Sequence, residues 1–140
     1  MAYSTIDKAS ANLNVKLFTG NSSTQSITGL GFSPTVVWLK SRSGSNDNQV
    51  YDTLRGATKY LRTESTDAEG TASTGLTSFD SDGFTLGSAG TTNNSGADMV
   101  SWNFKGGTTS GITQGSATIT PTSYSFNVNA GMSFVKYNGN

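Results

Sequence analysis

Cysteine and histidine are both absent from these 140 residues, and the two gaps remove much chemistry together. No disulfide framework, thiolate nucleophile, Ser-His-Asp triad or zinc site of the usual nitrogen and sulfur type can be built. Charge is scarce as well. Charged residues make up 13% of the chain, nine basic against nine acidic, for a formal net charge of zero. Nucleic-acid binding rests on Lys and Arg neutralising phosphates, so a neutral chain without a basic block argues against that partner. The longest strongly apolar run, Val36 to Leu39, is far short of the roughly 20 residues of a membrane-spanning helix, and no membrane insertion is expected. The N-terminal stretch lacks the basic start and apolar centre of a secretory leader.

Glycine, at 17 residues, and aromatics, with seven Phe, five Tyr and two Trp, are well represented. Disorder favours high net charge and few aromatics, so this composition describes a folded, loop-rich chain with a small core. The length suits one domain. Nearly every readable segment is strand-like. Thr35 to Lys40 is β-branched and aromatic behind the breakers Gly31, Ser33 and Pro34. Met99 to Phe104 alternates, with Val100, Trp102 and Phe104 on one face and Ser101 and Asn103 on the other. The pattern predicts Trp38 and Trp102 in the core. In LTSFDSDGFTLGS, Asp82-Gly83 reads as a two-residue turn that pairs Ser81 with Phe84 and Phe79 with Leu86. Short strands between Gly, Ser and Asn clusters predict an all-β, antiparallel β-sandwich.

The chain also echoes itself. Phe18-Thr19-Gly20-Asn21 near the start and Tyr137-Asn138-Gly139-Asn140 at the end each close an alternating run with an aromatic and a Gly-Asn turn. The expected organisation is an arm over residues 1–12, a sandwich over 13–107 and loop or linker strands over 108–130. Residues 131–140 then open a second unit or supply a closing or exchanged strand.

Several clusters bear on chemistry. Glu64, Asp67 and Glu69 form the tight acidic group that a glycosidase would need, but Glu64 lies three residues before Asp67 and points away from it on a strand. They read as loop acids, and no enzyme is expected. Asp80, Asp82 and Asp98, with Asn93 and Asn94, offer hard oxygens for calcium, against the plainer reading that Asp and Asn are turn residues. Calcium is the one cofactor considered. Asp52 stands three before Arg55, where a local ion pair is favoured and a ligand-facing guanidinium fork is the sharper alternative. Tyr51, Tyr60 and Tyr124 sit in polar contexts and are candidates for stacking on sugars.

In order, Gly31-Phe32-Ser33-Pro34, Val37-Trp38-Leu39-Lys40, Asp52-Thr53-Leu54-Arg55-Gly56, Ser78 to Phe84 and Trp102 to Lys105 resemble a family of bacteriophage virion proteins common in marine phages. That family is built from concanavalin A-like, laminin G-like domains, and the match runs over residues 14–107. The resemblance implies a concanavalin A-like jelly roll and a virion structural or attachment role, as tail fibre, capsid fibre or decoration protein. It carries no catalytic residues. Many relatives place a His shortly before the Asp-x-x-Arg-Gly loop, where this chain has Asn46-Asp47-Asn48-Gln49. Any role tied to that His does not carry over to this chain. The candidate ligand contacts are Asn46, Asn48, Tyr51, Arg55, Asn93 and Asn94. The expected partners are other virion proteins, further copies of the chain and a host-surface glycan, in a particle assembled in the host cytoplasm. The alternative is a stand-alone, non-catalytic carbohydrate-binding module of a cellular protein.

Overall fold

The computed structural model describes residues 8–111, 113, 115–116 and 118–139. Among the described residues strands take up 43% and helix 5%, and the fold is an all-β antiparallel sandwich. After a 3-10 turn at Ala9–Ala11 come β1 (Leu13–Thr19), β2 (Gln25–Ile27), β3 (Val36–Ser41), β4 (Gln49–Asp52), β5 (Lys59–Arg62) and β6 (Gly70–Thr71). β7 (Leu76–Asp80), β8 (Gly83–Leu86), a single helical turn α1 (Gly90–Asn93), β9 (Asp98–Phe104), β10 (Pro121–Asn127) and β11 (Met132–Tyr137) follow. One layer is a six-stranded sheet in the order β1-β9-β3-β4-β5-β6, and the other is a three-stranded sheet, β2-β8-β7.

The core fills the space between these layers. From the larger sheet come Val37, Leu39 and Tyr51; from the smaller come Ile27, Leu76, Phe84 and Leu86. Leu30 and Phe32, on the segment between β2 and β3, complete it, with Phe18, Ala57, Tyr60 and Phe79 packed at its margin. Burying each large apolar side chain contributes roughly 1.5–3 kcal/mol.

Two expectations are corrected here. First, Trp38 and Trp102 share a face, but it is the outer one. Trp38 is 36% exposed, whereas Val37 and Leu39 beside it are buried. The inward side of β9 carries Met99, Ser101 and Asn103. Its polar residues bond inside to one another and to β1: Asn103 Nδ2 donates to Ser101 Oγ at 2.9 Å. Asn103 Nδ2 donates to Asn14 C=O at 3.0 Å, and Asn14 Nδ2 donates to Leu30 C=O at 3.0 Å.

Second, the β7–β8 hairpin turns at Ser81-Asp82, one residue earlier than expected. Asp80 pairs with Gly83 and Phe79 with Phe84, and an irregularity between Leu76 and Ser78 restores Leu76 opposite Leu86. Gly83 lies within the strand because backbone crowds it: a Cβ there would strike the Ile27 carbonyl. Crossing chains, not turn conformation, require glycine at this position.

β10 and β11 pair with each other as a separate hairpin. It is fastened to the sandwich by mutual Thr108–Phe126 backbone bonds, each 2.8 Å, and by Asn127 Nδ2 donating to Asn12 Oδ1 at 2.7 Å. Phe134 of β11 meets Phe104 edge-on, ring centroids 6.3 Å apart.

Candidate functional site

The residues nominated as ligand contacts fall into separate places. Tyr51 is fully buried, its hydroxyl donating to Gln49 Oε1 at 2.6 Å. Burial pushes its pKa well above the ordinary tyrosine value. Its polar neighbour Gln49 is buried on the same face and takes its hydroxyl, so Tyr51 belongs to the core and cannot stack on a ligand. Asn93 is likewise buried. Its Oδ1 accepts from Asn21 N–H at 2.9 Å, while Nδ2 donates to Ser23 C=O at 2.6 Å, Gly87 C=O at 2.8 Å and Asn21 Oδ1 at 3.1 Å. α1 holds this amide where it stitches the β1–β2 turn to the end of β8. That is structural work.

Arg55 is bound to Asp52 by an ion pair and by its own backbone N–H donating to Asp52 Oδ1 at 2.8 Å. Its Nε lies 3.9 Å from Glu69. This is the local pair that the Asp-x-x-Arg spacing favoured. Asn46 donates to Gly90 C=O at 3.2 Å, and Asn48 Oδ1 accepts from Lys40 Nζ at 3.1 Å. Asn94 is exposed.

The acids considered for calcium are not gathered. Among the described residues no group of three or more acids is placed to hold a metal ion. Asp80 accepts from Ser78 Oγ and Thr85 Oγ1, both at 2.8 Å. Asp82 accepts from Gly31 N–H at 2.6 Å and Gly29 N–H at 2.9 Å, and these bonds hold its pKa below the ordinary range. Asp98 begins β9, in the opposite sheet. The acidic loop is also engaged. Glu64 accepts from Asn48 N–H at 2.8 Å, Asp67 pairs with Arg62 at 2.6 Å, and Glu69 lies 3.8 Å from Lys59. Burial opposes charge on Glu64, but the N–H bond from Asn48 and its neighbours outweigh it and its pKa is lowered.

What the structure does assemble is an apolar surface on the outer side of the six-stranded sheet. The strand registers place Val15, Trp102, Trp38, Val50 and Leu61 in one row across β1, β9, β3, β4 and β5. Trp38 and Trp102 are adjacent, with centroids 5.3 Å apart and planes tilted by 46°. At the β4–β5 end β11 overhangs the sheet, leaving a groove of about 630 Å³ floored by Val36, Val50 and Leu61 and walled by Phe134 and Tyr137. At the β1 end nothing described covers the row, and Val15 and Leu17 are 44% and 63% exposed. The alternation of Val36 and Trp38 with Val37 and Leu39 was the available sequence signal: both faces of β3 are apolar, so the sheet has a second face to cover.

Fold and surface together define a small antiparallel sandwich whose outer sheet face is largely apolar, with Asp52, Arg55, Arg62 and Lys136 also lining its groove. A smaller polar cleft of about 260 Å³ lies among Asn12, Lys105, Thr108, Asn127 and Asn129. The chain belongs to the family described as Domain of unknown function (DUF7483), whose model matches residues 8–140. No curated protein and no solved structure matches it significantly.

Proposed function

We propose that this is a bacteriophage virion structural protein, a unit of a tail fibre, capsid fibre or decoration layer, which acts through its surfaces and not by catalysis. The observation that carries the reading is the outward-facing row of Val15, Trp102, Trp38, Val50 and Leu61. Apolar surface of this kind, exposed at Val15 and Trp38 and half-exposed along the rest of the row, marks a protein contact. The ordered motifs from Gly31 to Lys105, which resemble phage virion proteins, supply the setting. The non-catalytic part is supported by the acids at 64–69, each already engaged with Asn48, Arg62, Lys59 or Arg55.

Assembly is the stronger half of this reading and glycan attachment the weaker. Of the nominated sugar contacts, Tyr51 and Asn93 are buried and Arg55 is held by Asp52. A glycan would be left with Asn46, Asn48 and Asn94, of which Asn46 and Asn48 already bond Gly90 and Lys40. The test is peptide mass spectrometry and immunogold labelling of density-purified particles from a lysate in which the chain is made. Stoichiometric incorporation is the expected result. Recovery only outside the particles, together with selective binding on a glycan array, would replace this reading with that of a carbohydrate-binding module.

A further inference from the structure

We propose that two copies of this chain join through β1, edge to edge and antiparallel, so that their six-stranded sheets become continuous. The pairing is independent of the virion reading, because an open strand edge offers the same bonds in any setting.

Among the described residues β1 ends its sheet, with β9 as its neighbour on one side. The direction of its backbone groups follows from the bonds at both of its ends. Lys105 N–H donates to Asn12 C=O at 2.8 Å, Gly20 N–H donates to Ala97 C=O at 2.9 Å, and Gly96 N–H donates to Gly20 C=O at 2.9 Å. Even-numbered residues therefore address β9, and Leu13, Val15 and Leu17 turn their N–H and C=O groups to the open edge. At Thr19 the edge is closed, because that carbonyl already accepts from Gln25 Nε2 at 3.1 Å.

The side chains of those three residues lie on the outer face, 36%, 44% and 63% exposed. Proteins that keep such an edge unpaired blunt it with proline, a bulge, or charge. β1 has no proline and no bulge against β9. Its one charge, Lys16, points to the inner face beside Gly29 and close enough to Asp82 to favour that carboxylate.

The same lysine selects how a second copy fits. A hydrogen-bonded antiparallel pair must set odd residues against odd. Centring the pair on Lys16 would oppose two ammonium groups about 4.5 Å apart at the backbone, which repels. Centring it on Leu17 would set Val15 against the partner's Thr19, whose carbonyl is taken, and Lys16 against the partner's Phe18. Centring it on Val15 has neither fault. Leu13 then faces the partner's Leu17, Val15 faces the partner's Val15, and Lys16 faces the partner's Asn14. All the open N–H and C=O groups of Leu13, Val15 and Leu17 are satisfied. The net charge of zero leaves no long-range repulsion between copies. The apolar side chains of both strands would extend the tryptophan row across the junction.

The absence of cysteine allows a direct test. Residues facing each other in a hydrogen-bonded antiparallel pair lie about 5.5 Å apart at Cα, within disulfide range. Val15→Cys is expected to oxidise to a covalent dimer on a non-reducing gel. Leu13→Cys and Leu17→Cys are expected to do so when mixed with each other and not when alone. In light scattering the unmodified chain should have twice its 14.6 kDa mass. Val15→Lys and Val15→Glu, both on the solvent side, should each be monomeric with unchanged circular dichroism, and their mixture should recover the dimer. A monomeric parent chain at its highest soluble concentration would overturn the proposal, as would a Val15→Lys variant that stayed dimeric. Cross-linking of Leu17→Cys alone, without Val15→Cys, would overturn the Val15-centred register.

Discussion

Trp38 and Trp102 stand directly opposite each other on β3 and β9, ring centroids 5.3 Å apart, on the face of the sheet that looks away from the core. Each shields part of the other, so neither behaves as a core tryptophan. A fully buried ring here would make truncation to alanine cost about 3–5 kcal/mol. For Trp102→Ala the expected loss is about 1–2 kcal/mol, against about 3–5 kcal/mol for Phe84→Ala in the fully buried interior. A double-mutant cycle on the two tryptophans should return a coupling of about 0.5–1.5 kcal/mol. Denaturant titration of the four proteins measures all of these, and equal losses for Trp102 and Phe84 would contradict the assignment of faces.

Asn93 is expected to behave as a buried strut. Asn93→Ala strands the Asn21 N–H and the Ser23 and Gly87 carbonyls, at a cost of at least about 2 kcal/mol. Asn93→Asp should be worse at neutral pH than in acid, because a carboxylate cannot donate to those carbonyls. Thermal melts at both pH values decide it, and a neutral effect of the alanine change would return Asn93 to the list of ligand contacts.

The carboxylate of Asp82 ties the β7–β8 turn to the segment at Gly29 and Gly31. Its folded pKa is depressed by those two N–H bonds. The stabilisation is thus present above the ordinary Asp value and fades as the pH falls below about 4 and through the folded pKa. Asp82→Asn should flatten that acid limb of the stability curve while leaving its plateau lower. An unchanged acid limb would mean that other carboxylates carry it.

Two glycines separate crowding from backbone conformation. Gly83→Ala drives a methyl into the Ile27 carbonyl and should prevent the β2–β8 pairing. Gly31→Ala meets open space and carries only the penalty of φ = +82°, about 1 kcal/mol. Soluble yield and melting temperature of the two variants should differ accordingly.

Much of the fold was legible from alternation and turn chemistry. Thr35 to Lys40 and Met99 to Phe104 show strand periodicity directly, and the Asp-x-x-Arg spacing pointed to the pair now seen between Asp52 and Arg55. The β7–β8 hairpin was legible to within one residue. The turn moved to Ser81-Asp82 because the Asp82 carboxylate is drawn to Gly29 and Gly31, about fifty residues away in sequence, and local propensity cannot register such a contact. Tyr51 and Asn93 resembled surface residues because their sequence neighbours are polar. A side chain's neighbours in sequence lie on the other face of its strand, or in a turn, and say little about what lies above it.

The sequence by itself determined that the chain is an antiparallel sandwich, and which side chains travel together on each strand. It also excluded thiol and imidazole chemistry, since neither group occurs. Only the tertiary structure decided which side of the large sheet meets the second layer. On β3 both sides are apolar, so hydrophobicity could not choose between Val37 with Leu39 and Val36 with Trp38. The choice fell to the strands that pack above, because β2, β7 and β8 cover one face and leave the tryptophan face partly to the β10–β11 hairpin and partly exposed.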